Sequence, residues 1–87
     1  MASYRVLIKR SAAKELEDLA VGDRRRVVAR IRVLTDDPRP HGSEKLSGQD
    51  RYRIRQGTLR ILYEVDDRDL SVTVVKVGHR RDVYRGR

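Results

Sequence analysis

Cysteine is absent from this 87-residue chain, which excludes disulfide cross-links, a thiolate nucleophile and any cysteine-built zinc site. Histidine occurs only at His41 and His79, too sparsely for a histidine-rich metal centre. Tryptophan and phenylalanine are missing, so the 4 tyrosines are the whole aromatic complement. No apolar run approaches the ~20 residues of a membrane-spanning helix, and the opening MASYRVLIKR lacks the apolar stretch of a secretory signal. These absences set the expectation of a cytoplasmic protein with no membrane partner, no metal and no other cofactor. Internal repeats, low-complexity tracts and long linkers are also lacking. The length supports a single domain over residues 1–87, with a small core and a thin margin of stability.

Positive charge is what the chain has in excess. Lysine and arginine number 21 against 13 acidic residues, for a formal charge of +8. Arginine accounts for 17 of the 21, and its rigid planar fork suits bidentate contact with phosphate or carboxylate. Such an excess in a small domain favours a polyanionic partner: nucleic acid, a ribonucleoprotein surface or an acidic protein segment. Charge by itself does not choose among the three.

Hydrophobic periodicity divides the chain into elements. Tyr4, Val6 and Ile8 alternate as in a strand. Ser11 is placed to cap a helix with an apolar stripe at Ala12, Leu16 and Leu19, and Gly22 to end it. Asp23 can cap a second helix that buries Val27, Val28, Ile31 and Leu34 and covers the rest of its surface with Arg24, Arg25, Arg26, Arg30 and Arg32. Those arginines fit a solvated outer face better than a groove-reading helix. Thr35 to Gly48 reads as loop, with Pro38 and Pro40 halting the helix, Leu46 as its anchor and His41 as a surface histidine without an orienting carboxylate. The stretch YRIRQGTLRILYEV, from Tyr52 to Val65, then reads as a hairpin turning at Gln56 and Gly57. An acidic turn spans Asp66 to Asp69, and Leu70 to Val77 is apolar on both faces, as for an interior strand. The order β-α-α-β-β-β predicts an α+β fold: an N-terminal strand and antiparallel helical hairpin packed on a small, mainly antiparallel sheet. The pattern leaves open where the first strand pairs.

One surface collects the chemistry. Arg53 and Arg55 share outward parity on one strand, and Arg60 matches them across the turn. Gly78 closes the last strand and delivers His79, Arg80 and Arg81, with Tyr84 one helical turn beyond Arg80. An RNA phosphodiester fits such a surface, because its 2′-hydroxyl can attack the adjacent phosphate once deprotonated. Guanidinium groups would steady the charge that develops on phosphorus. Arginine holds its own proton too tightly to be the base, which leaves Tyr84 and His79 for proton transfer. Residues of these types also suit a solvated sheet face, or RNA or protein binding without catalysis.

Three segments carry a family resemblance: YRVLIKRSAAKELEDL, KLSGQDRYRIRQGTLRILYEV and VVKVGHRRDVYR. Together they resemble the RelE/ParE superfamily of bacterial type II toxins over nearly the whole chain, and in particular the RelE branch of ribosome-dependent mRNA interferases. The resemblance implies a small cytoplasmic α+β toxin that enters the ribosomal A site and cleaves mRNA through its 2′-hydroxyl. It implies a cognate antitoxin protein, the 70S ribosome with its A-site mRNA, and operator DNA bound only through the antitoxin complex as partners. In that family Arg60 and Arg80 would stabilise the scissile phosphate, Arg53 and Arg55 would bind the RNA backbone close to the reaction, and Tyr84 would orient or activate the nucleophile. Arg51, Arg81 and His79 are further candidates for phosphate contact. The best-known members carry lysines where this chain has Arg53 and Arg55. ParE-type relatives share the fold but poison DNA gyrase and generally lack this basic set.

Overall fold

Alternating side chains and two amphipathic stretches build one five-stranded sheet with a helical layer over one face. A computed structural model describes residues 3–46 and 50–79. The elements are β1 (Arg5–Ile8), α1 (Arg10–Glu17), α2 (Val21–Val33), β2 (Glu44–Lys45), β3 (Arg51–Gln56), β4 (Leu59–Asp66) and β5 (Ser71–His79). The sheet order is β1-β5-β4-β3-β2. β1 runs parallel to β5, Arg5 opposite Ser71 and Ile8 opposite Val74, and every other pairing is antiparallel. The expected α+β layout and the β3-β4-β5 meander are both present, and β2 is a two-residue strand inside what the sequence reads as loop.

The helix-side face of the sheet supplies Tyr52, Ile54, Ile61, Tyr63, Val65, Val72, Val74 and Val77, which meet Ala12, Leu16, Val27, Ile31 and Leu34 in one buried cluster. β5 is apolar at both parities for a reason other than burial on both faces. The register shifts between Leu62 and Tyr63, so that Leu62 faces Lys76 while Tyr63 faces Val74. This bulge leaves Val75 as the extra residue and moves the inward parity from Val72 and Val74 to Val77.

Both helices start earlier than their polar residues indicate. α1 has Lys9 at its N-cap and α2 has Ala20, and neither cap position makes a side-chain hydrogen bond. Ser11 therefore lies inside α1, and Gly22 and Asp23 lie inside the first turn of α2. Sheet pairing explains the first start: Lys9 N–H donates to the Val74 carbonyl at 2.9 Å, and the next residue already turns into helix. Tertiary hydrogen bonding thus outweighs local capping preference. The hairpin turn is also one residue later than expected, at Gly57 and Thr58, since Gln56 pairs with Leu59. Gly57 has φ +61°, the backbone state that a two-residue loop with glycine first requires.

The loop after α2 is held by tyrosines as much as by Leu46, which is half-buried. Tyr63 donates to the Pro38 carbonyl at 2.7 Å, and Tyr52 and Tyr63 stack with centroids 5.7 Å apart. Arg39 lies over the Tyr52 ring and donates to its hydroxyl, then reaches Asp67 with two further hydrogen bonds. Tyr4 also donates to Asp67, at 2.8 Å, so the segment before β1, the proline loop and the β4–β5 turn close on one carboxylate. Hydrogen bonds from Arg39 and Tyr4 hold the Asp67 carboxyl below the usual range, while burial pushes the Tyr63 phenol up to about 12.

Candidate nucleic-acid interface

The sheet face away from the helices is organised in rows that follow from the register. Arg55 stands directly opposite Arg60, which in turn stands opposite Gly78. The next row carries Glu44, Arg53, Leu62 and Lys76, and the one after it Arg51, Glu64 and Thr73. Leu62 is buried on this face, outside the main core cluster. Arg53, Arg55 and Arg60 are therefore brought together as the parity of the two strands predicts.

Their environments differ in ways parity does not reveal. Arg60 is only 9% exposed, and its guanidinium donates to the Leu59 carbonyl at 3.1 Å and to the Gly57 carbonyl at 3.4 Å. Backbone dipoles of the turn thus fix this cation in place. Arg53 is bound to Glu44 across the β2–β3 pair, and the same carboxylate lies 3.9 Å from Arg55. Arg55 keeps 60% of its side chain exposed and is the most open of the three. Arg51 donates to Glu64 at 2.7 Å, so its charge is matched on the sheet itself.

His79 pairs in register with Leu59, which puts it on the helix side and not in the Arg55–Arg60 row. It is exposed, with Nδ1 3.4 Å from the Thr58 hydroxyl. Arg80, Arg81 and Tyr84 lie outside the described residues, so the arrangement of the expected phosphate site around them is not part of the described structure. Two residues that sequence reasoning passed over belong to this surface. Glu44 sits in a segment that reads as loop, and only the two-residue strand β2 turns it toward Arg53. Lys76 is hidden by the bulge that reverses parity in β5, and it also lies 3.6 Å from Glu15 of α1.

Charge is graded along the sheet. The row of Arg55 and Arg60 occupies one end, next to the β3–β4 turn. At the opposite end a cavity of about 580 Å³ is lined by Asp50, Glu64, Asp66, Asp67, Arg68 and Ser71, among others. An anion is attracted to the first end and repelled from the second. Among the described residues, no helix is long and apolar enough to cross a membrane, and no group of three or more His, Asp or Glu side chains gathers as metal ligands.

The family described as the ParE toxin of the type II toxin–antitoxin system parDE matches residues 6–84. Toxin RelG of Mycobacterium tuberculosis is 44% identical over 34 residues, a stretch that is 39% of this chain and 39% of that toxin. The fold is similar to a chain of the archaeal RelE–RelB complex from Pyrococcus horikoshii, at 31% identity over 90% of this chain and 96% of that one, with a TM-score of 0.81. It is similar also to the isolated E. coli RelE toxin, at 28% identity over 95% of this chain and 93% of that one, with a TM-score of 0.80.

Proposed function

Because the chain belongs to the RelE/ParE superfamily of type II toxin–antitoxin toxins, in its RelE branch, we propose that it is a ribosome-dependent endoribonuclease that cuts mRNA in the A site. In this reaction the 2′-oxygen forms a bond to the adjacent phosphorus, and the bond from phosphorus to the 5′-oxygen breaks. The 2′-hydroxyl proton leaves to a base and the departing 5′-oxygen takes one up, giving a 2′,3′-cyclic phosphate. No step calls for a metal ion.

The observation that carries this reading is the direct opposition of Arg55 and Arg60 across β3 and β4. Like charges facing each other on a sheet are destabilising, and an anion placed between them removes the penalty. Arg60 is already oriented by two carbonyls, which would hold its guanidinium in place as negative charge builds on the phosphate. Arg53 and Arg55 would bind the flanking backbone, with Arg55 closest to the reacting centre. Arg80 would complete the charge stabilisation, Arg81 would add a phosphate contact, and Tyr84 would orient or deprotonate the nucleophile. His79, on the other side of the strand, is assigned at most an outer contact, and Arg51 serves mainly its pair with Glu64.

Solved relatives include RelE–RelB complexes from Pyrococcus horikoshii and E. coli, which supports a cognate antitoxin as partner of this chain. An acidic antitoxin segment would neutralise the Arg53–Arg55–Arg60 face, and operator DNA would be reached only through that complex. Replacing Arg60 with Ala should lower mRNA cleavage on programmed ribosomes by roughly 10²-fold or more. Arg60→Lys should fall between Ala and wild type, since it keeps the charge and loses the fork. An unchanged rate in a folded Arg60→Ala protein would remove Arg60 from the centre. The ParE description of the matching family favours one other reading, inhibition of DNA gyrase. Inhibited supercoiling with intact mRNA would select it.

A further inference from the structure

Beside the arginine row, the sheet margin has an opening that the cleavage reaction does not use. β2 pairs only with Arg53 and Tyr52, so the outer edge of β3 at Ile54, Arg55 and Gln56 has no neighbouring strand among the described residues. A cleft of about 390 Å³ lies there, lined by Arg30 from α2, Gly42 and Glu44 from the loop before β3, and Arg55 from β3. Arg30 makes no ion pair among the described residues. Gly42 has φ +94°, and nothing stands within 4 Å of where a Cβ would be, so the turn presents bare backbone to the cleft. Glu44 is the one acidic group in this lining, and its carboxylate already engages Arg53 and lies near Arg55.

We propose that Arg30 and Arg55 form a second phosphate subsite, which carries a single RNA strand from the arginine row over the β2–β3 margin toward α2, and that Glu44 stands in for the phosphate on its Arg55 side in the free protein. Arg55 belongs to both the row and the cleft, so a polymer bearing one charge per repeat can occupy the two places at once. Arg30 and Arg55 line the cleft together, and a phosphate oxygen placed in it can accept from either guanidinium. The Glu44 carboxylate has the charge and the planar oxygens to bind Arg55, which makes it a competitor that incoming RNA must displace there. The inference rests on the RNA-directed reading above, but it concerns binding, and it can be tested apart from cleavage.

The test uses the full-length protein and a roughly twelve-nucleotide 2′-O-methyl RNA, which lacks the attacking hydroxyl and therefore cannot be cut. Arg30→Ala should weaken binding about tenfold and reduce the slope of log affinity against log salt by about 0.7, the share of one phosphate contact on a single strand. Glu44→Gln should strengthen binding several-fold. Arg68→Ala, which removes one positive charge at the acidic end of the sheet, should have little effect. An Arg30→Ala protein with wild-type affinity and slope would overturn the subsite, as would equal losses for Arg30→Ala and Arg68→Ala. Weaker binding by Glu44→Gln would show that Glu44 positions the arginines and does not compete with RNA. If the binding pattern holds while wild-type protein fails to cut mRNA on ribosomes, the nuclease reading falls and the subsite stands.

Discussion

Asp67 is an exposed side chain that three parts of the chain depend on. It accepts hydrogen bonds from Tyr4 and from both terminal nitrogens of Arg39, and these donors, Arg39 foremost, hold its carboxyl below the usual range. A carboxyl whose folded-state pKa lies below its unfolded value adds stability above the ordinary carboxylate range. That contribution is lost as pH falls through the folded-state value. Asp67→Asn is therefore expected to flatten the acid limb of melting temperature against pH, below about pH 4. An acid limb identical to wild type would mean that this contact carries no pH-dependent stability. At this scale the sequence is legible in direction and silent about partners. Parity places Tyr52 and Tyr63 inward and Arg60 outward, as found. Nothing local tells that Tyr63 meets Pro38, 25 residues away, or that Arg60 is buried against carbonyls of its own turn. Such pairings depend on which loop folds back over which strand.

Among the elements, β5 is supported differently along its length. β1 covers its edge only as far as Val74. Beyond that point α1 takes over, and Glu15 accepts the Val77 N–H at 2.9 Å while facing Lys76. The helix side chain thus replaces a missing strand at the point where the bulge turns Val77 inward. Glu15→Ala should cost about 1.5–3 kcal/mol in urea unfolding, the range for losing a hydrogen bond to a charged group. Native-state hydrogen exchange should then show faster exchange at Val77, while the Ile54 and Ile61 amides keep their order of protection. Uniform acceleration across the sheet would argue against a local role for Glu15. Periodicity revealed two helices and four of the strands, because each carries several apolar residues in phase. It misplaced the helix starts, the turn at Gly57 and the two-residue β2, since these are fixed by hydrogen bonds from elsewhere and too few residues lie in phase to show them.

Over the whole molecule, the +8 charge is not spread evenly. The sheet face runs from carboxylates around the β4–β5 turn to guanidiniums around the β3–β4 turn. This polarity should orient an approaching polyanion before contact. A ligand that binds only the folded state raises its stability by mass action, so saturating RNA should raise the melting temperature by several degrees. The increase should shrink as salt is added, through release of counterions from the RNA. No shift at low salt would show that the basic end does not bind RNA. Composition made the excess of positive charge legible at this scale, and the meander was legible from the order of its strands. The parallel placement of β1 was not, because a four-residue strand can satisfy its apolar face at either margin of the sheet. That placement has a consequence for synthesis. Arg5 pairs beside Ser71, so the five strands are complete only after β5 has been translated. Until β5 is made, the nascent polypeptide holds an unfinished sheet, and Arg60 lacks the strand that pairs beside it at Gly78.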